Sequence, residues 1–226
     1  MEGKSPKELV PLFFGNTANT YDSVVMWATF GRDRYWKNEI LTKIENPSSI
    51  LDLACGTGIL TRKLARMFPK SKILGIDISK NYLSLAEKNS LSFSNVSFLL
   101  CDAENLDFDK KFDCICSSYI PKYCDPKVLV KNMVSHLNAG GKIVLHDFTY
   151  PKNQSIRMLW RCYFVLLNLM GYFTSWKYAF KELPILVKNS DWTNSYKYEL
   201  EKYGFAVTLQ SLTLDSSTIL AAQHQP

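Results

Sequence analysis

Histidine is scarce in this chain, three residues in 226, and the three stand at no metal-ligand spacing. A histidine-built metal centre is therefore not expected. No Cys-x-x-Cys pair occurs among the six cysteines, Cys55, Cys101, Cys114, Cys116, Cys124 and Cys162. Most of them fall inside apolar runs, which reads as reduced, buried thiols in a cytoplasmic protein. No apolar signal core opens the chain, so a secretory leader is not expected. No stretch reaches the ~20 apolar residues of a bilayer span. The most apolar run, Met158 to Phe173, is shorter and carries Arg161 and Asn168. No repeat, low-complexity tract or Pro/Gly/Ser-rich linker divides the sequence, so one domain is expected. The net charge of +6, from 27 basic and 21 acidic residues, contains no basic block long enough for a nucleic-acid arm. A solvated surface accounts for so mild an excess, and nucleic acid is not expected as a partner.

What is present is a regular alternation. Residues 7–14 and 17–44 have helical spacing, with Tyr21, Val24, Val25, Trp27, Phe30, Trp36 and Ile40 as an apolar face and a break at Gly31. Short apolar runs at 49–53, 72–76, 96–100, 112–117 and 142–148 read as buried strands. Helices are predicted between them: 59–68, a helix capped by Ser79, and one opening at Asp125-Pro126 and stopping at Ala139-Gly140-Gly141. A long apolar helix at about 154–173 follows, then an irregular polar region, a helix near 192–203, and strands at 205–212 and 217–223. Strand and helix in turn predict an α/β, doubly wound, mostly parallel sheet of seven strands. The division expected is an N-terminal helical cap (1–45), a core (46–150), and helices with a final strand pair (151–226).

Ligands of open α/β sheets bind beyond the carboxyl ends of the strands. There the sequence reads Asp52-Leu53-Ala54-Cys55-Gly56-Thr57-Gly58, then a helix. Small residues at Ala54, Gly56 and Gly58 permit a tight turn and a close ligand. Asp77, nineteen residues past Gly58, ends the second strand where a carboxylate can accept from both hydroxyls of a ribose. The dinucleotide fingerprint needs a third glycine, but Thr61 holds that position. Asp52 would repel a pyrophosphate and suits a cationic ligand. Charge logic therefore favours S-adenosylmethionine. Asp102, before Ala103, can accept from the adenine amine. Ser118 follows strand four, near where the methyl should point. His146 reads as a satisfied core histidine.

Together these residues resemble the class I methyltransferases, with a Rossmann-like fold. Tyr21-Asp22 and Gly31-Arg32-Asp33-Arg34-Tyr35-Trp36-Lys37 are similar to the N-terminal signature of the ubiquinone/menaquinone C-methyltransferases. Leu51–Gly58, Asp147-Phe148-Thr149-Tyr150-Pro151-Lys152 and the ending from Gly204-Phe205 follow the same family. The resemblance implies cofactor contacts at Thr57, Asp77, Asp102, Ala103 and Ser118, with S-adenosylhomocysteine as product; Ile78, next to Asp77, is a further cofactor candidate. It departs on the substrate side. Ile120-Pro121-Lys122-Tyr123 stands where the family has Gly-Leu-Arg-Asn, and Ser23-Val24-Val25 replaces Met-Asn. Lysine does not reproduce arginine at such a site.

The expected reaction is in-line transfer of a methyl group to a nucleophilic carbon of a hydroquinone-like ring. Loss of a phenolic proton, pKa about 10, would need a base or cation. Lys122, Tyr123 and Tyr21 are the candidates. The apolar helix could line a pocket for an isoprenoid tail or touch a bilayer, or it could pack on the core or in a homodimer. The alternatives are O- or N-methylation of another small molecule, or a module that binds the cofactor without catalysis.

Overall fold

The computed structural model describes residues 5–224. Seven strands form one sheet in the order β3-β2-β1-β4-β5-β7-β6. They are β1 (Ser49–Leu53), β2 (Lys72–Asp77), β3 (Val96–Leu100), β4 (Phe112–Ser118), β5 (Leu137–Phe148), β6 (Phe205–Leu212) and β7 (Ser217–His224). The pairings β1–β2, β1–β4, β2–β3 and β4–β5 are parallel, and β7 runs antiparallel to both β5 and β6. The doubly wound, mostly parallel sheet is as the alternation predicts.

Alternate residues of each central strand serve opposite faces, because successive side chains point to opposite sides. Leu51, Ile115, Ile143, Leu145 and Leu220 pack with α6 (Pro126–Ser135) and α9 (Trp192–Lys202). Ile50, Cys114, Cys116, Val144 and Ile219 pack with α3 (Arg32–Leu41) and α4 (Ile59–Met67). A third cluster lies off the sheet. It joins Phe13 of α1 (Val10–Phe14) and Tyr123 to α7 (Gln154–Gly171) and α8 (Lys177–Asn189).

Several expectations need correction. The region after residue 173 is not irregular: α8 fills it, with Pro184 inside the helix. Ala179, Phe180, Leu183 and Val187 turn inward at helical spacing, so burial outweighs the proline penalty. The stretch 17–44 does divide at Gly31, which is left-handed, into α2 (Tyr21–Ala28) and α3 as expected, but a short 3-10 turn precedes α2. Trp36 and Ile40 are core, but no residue of α2 is fully buried and Trp27 and Phe30 are exposed. Strand β5 begins at Leu137, because a register shift between Phe112 and Cys114 absorbs the Gly140-Gly141 kink. Ser79 sits at the N-cap of α5 (Lys80–Asn89), but its side chain makes no capping bond; Asp77 Oδ1 instead accepts the Ser79 N–H at 2.8 Å. Among the described residues, no helix is long and apolar enough to cross a membrane.

Candidate active site

The turn after β1 is built on left-handed residues: Ala54 (φ 51°), Gly56 (φ 59°) and Gly58 (φ 79°). Two bonds tie it to β2. The Cys55 N–H donates to the Ile76 carbonyl at 2.8 Å, and the Gly56 N–H donates to Asp77 Oδ2 at 2.9 Å. At Gly58 a β-carbon would come within 3.2 Å of Ala86 Cβ, so this glycine lets α4 and α5 approach.

Beyond the turn lies a cavity of about 430 Å³, within the range of small-ligand sites, roughly 300–1,000 Å³. Ala54, Gly56, Asp77, Ile78, Asp102, Ala103 and Ser118 line it. Asp52 and Thr57 lie on a much smaller adjoining space of about 20 Å³. Gly58 lines neither. The reason for Asp52 is plain. It is a buried residue of β1, not a turn carboxylate, and it accepts from Thr61 Oγ1 at 2.6 Å. Burial pushes its carboxyl up to about 7, against the pull of that bond and of Lys37. Thr57 Oγ1 donates to Asp22 at 2.5 Å.

The cavity suits an adenosyl cofactor. Each Asp77 oxygen accepts one backbone N–H, from Gly56 or Ser79, and keeps a lone pair for a hydroxyl. Burial raises the Asp77 carboxyl, and those N–H bonds oppose it. Asp102 Oδ1 accepts the Glu104 N–H at 3.0 Å, and Lys7 Nζ bonds its Oδ2 at 2.6 Å. Lys7, Val10, Pro11 and Phe14 form the N-terminal wall of the same space.

A second cavity, about 440 Å³, opens on the other side of Phe14, Tyr21, Tyr119 and Tyr123, which line both. Its walls are overwhelmingly apolar and aromatic, from α1, α2, α7 and α8. Among the described residues, Arg32 and Lys122 are its charged lining residues and no acid lines it.

The family described as "Methyltransferase domain" matches residues 44–202. The chain belongs to this family. A demethylmenaquinone methyltransferase of Thermotoga maritima is 28% identical over 221 residues, covering 94% of each chain. A ubiquinone/menaquinone biosynthesis C-methyltransferase UbiE of Hahella chejuensis is 30% identical over 167 residues, 70% of this chain and 67% of that one. Among solved structures, the plantazolicin methyltransferase BpumL in complex with SAH has a TM-score of 0.70 at 15% identity, covering 97% of this chain and 95% of that one. The protein is an S-adenosylmethionine-dependent methyltransferase of Rossmann-like fold.

In this methyltransferase Tyr119 is the residue sequence reasoning missed. It directly follows β4 in a left-handed conformation (φ 78°) and stacks on Phe148 at 4.9 Å. Its hydroxyl donates to Asp33 Oδ1 at 2.7 Å. Asp33 is buried in an ion pair with Lys37, whose ammonium lies 4.6 Å from the Tyr119 ring centre. The positive φ is invisible in sequence, and Asp33 and Lys37 read there as an ordinary helix pair. Lys122 is also buried, with Nζ 2.7 Å from Asp147 Oδ1 and 2.8 Å from the Tyr119 carbonyl. Burial lowers its pKa and Asp147 opposes that. Burial pushes the Tyr21 and Tyr123 phenols well above their ordinary value, with nearby carboxylates adding to it. His146 is a satisfied core residue, bonded to Ser118 Oγ at 3.0 Å and Ser217 Oγ at 2.6 Å.

Proposed function

We propose that this methyltransferase methylates a ring carbon of a lipophilic, phenol-bearing acceptor of the quinol class that its curated relatives are named for. The observation that carries the reading is the shared aromatic wall: an apolar chamber with two cations and, among the described residues, no acid in its lining shares four rings with the cofactor chamber. An apolar tail gains from burial there at roughly 25 cal/mol per Å². An acceptor hydroxyl that loses its proton gains from Arg32, and less from Lys122, whose charge Asp147 balances.

S-adenosylmethionine supplies an electrophilic methyl on a sulfonium centre. Asp77 and Asp102, with the backbone at Gly56, hold the adenosyl portion, and Asp52 and Thr57 line the space beside the turn. Phe14, Tyr21, Tyr119 and Tyr123 align the two ligands. Such alignment can supply ~7–11 kcal/mol of the barrier. Tyr21 and Tyr123 stay neutral at pH 7, so they serve as walls and hydrogen-bond donors rather than bases. Lys122, held by Asp147, favours a phenolate at the acceptor. Tyr119, whose hydroxyl donates to Asp33, keeps its oxygen free to accept from the acceptor's phenol. The thiols, unpaired in the structure, support a reducing cytoplasm as the location, with peripheral contact to the membrane where a lipophilic acceptor resides. A homodimer is the other use of the apolar α7.

The test is transfer of a ¹³C-labelled methyl to a reduced, short-tailed demethylated quinol. The label should appear on a ring carbon by NMR. A label on oxygen, or none with any quinol, would refute the reading.

A further inference from the structure

The outer face of α7 is apolar and uncovered. Met158, Leu159, Val165, Leu166, Leu169 and Met170 recur at three- and four-residue spacing and stand more than half exposed. Phe173, just past the helix, is 94% exposed. From Met158 to Phe173 this stripe runs about 22 Å at the helical rise. The inner face of the same helix, through Trp160, Tyr163, Phe164 and Leu167, lines the acceptor chamber. The chamber reaches the surface beside it. Phe30 lines the cavity, is 80% exposed, and packs against Tyr163 at 5.5 Å.

Charge says what covers the stripe. From residue 152 to 189 the chain carries Lys152, Arg157, Arg161, Lys177, Lys181 and Lys188 against the single acid Glu182. On α8, which packs on α7, Lys177, Lys181 and Lys188 are exposed and share a helical stripe with exposed Ile185. A second copy seated α7 on α7 would bring two such basic segments together. An anionic surface would not. An apolar helical stripe beside basic residues, with an aromatic tip, is the chemistry of an interfacial helix.

We infer that α7 and α8 dock the enzyme on an anionic lipid bilayer, with Leu166, Leu169 and Phe173 entering the interface and the Phe30 mouth of the acceptor chamber beside it. The inference rests on the lipophilic acceptor proposed above only for its purpose; the surface chemistry stands by itself.

The test is sedimentation of the full-length protein with vesicles of phosphatidylcholine alone and of phosphatidylcholine with 30% phosphatidylglycerol. Binding is expected to the anionic vesicles and to weaken at high salt. Leu166→Asp/Leu169→Asp lies outside both cavities and should lower the partition coefficient about tenfold or more, as should Lys177→Glu/Lys181→Glu, since each basic residue near such a surface contributes roughly fivefold. Both variants should keep the wild-type melting temperature and the wild-type rate on a tail-less, water-soluble quinol. No sedimentation with anionic vesicles, or binding that both variants retain, overturns the inference. So does a wild-type dimer by ultracentrifugation that Leu166→Asp/Leu169→Asp dissociates. Failure of the wild type to methylate any quinol would strike the acceptor reading and leave the vesicle result standing.

Discussion

Asp52 shows how one buried carboxyl can link folding, ligand binding and pH. Its pKa of about 7 in the folded chain compares with about 4 for an unfolded aspartate. Between those values the folded protein holds a proton that the unfolded chain has released. The stability from this group is therefore complete below about pH 4 and is lost as pH rises through 7. A ligand carrying an amino group and a sulfonium favours the ionised form instead. Affinity for S-adenosylmethionine should therefore rise between pH 6 and 8, with proton release, and Asp52→Asn should flatten that dependence. Calorimetry in buffers of different ionisation enthalpy reads both effects. The sequence reads Asp52 as a carboxylate of the turn; its place within β1, facing Thr61, was not legible. Ala54, Gly56, Asp77, Ile78, Asp102, Ala103 and Ser118 were legible because strand ends in such a sheet converge on one side. Tyr119 and Asp33 were not: 86 residues separate them, and their hydrogen bond exists only once α3 is folded against β4 and β5.

At the level of elements, β5 and the short turn Pro121–Tyr123 are joined by one carboxylate. Asp147 accepts the Lys122 N–H at 3.0 Å and the Phe148 N–H at 2.7 Å, besides the Lys122 ammonium. Both side chains of the pair are almost wholly buried. Breaking a buried pair from one side leaves an uncompensated charge, at a cost of roughly 3–5 kcal/mol. Asp147→Asn should lose about that much in urea unfolding; a loss below about 1 kcal/mol would mean that water reaches Lys122. Elements with strong periodicity between clear stops were legible: β1 to β4, α4, α6, α7, α9 and the final strand pair. Helix α8 was hidden because Pro184 and its lysines imitate a loop. Only the apolar surface of α7 and α1 makes the helical state worthwhile there, and that surface comes from distant parts of the chain.

For the whole molecule, the two chambers meet the surface at separate points. The cofactor chamber is open near Ile78, Lys80 and Asn81, all exposed, and the acceptor chamber at Phe30. The two mouths are separate, so binding should follow no fixed order. S-adenosylhomocysteine should then inhibit competitively against S-adenosylmethionine and non-competitively against the acceptor; competition with both would contradict two independent entrances. The four shared rings thus mark where two harbours meet, each with its own channel to the sea. On the docking proposed above, spent nucleoside would be exchanged from the aqueous side while the enzyme keeps its place beside a lipid-borne acceptor, and successive turnovers would need no departure.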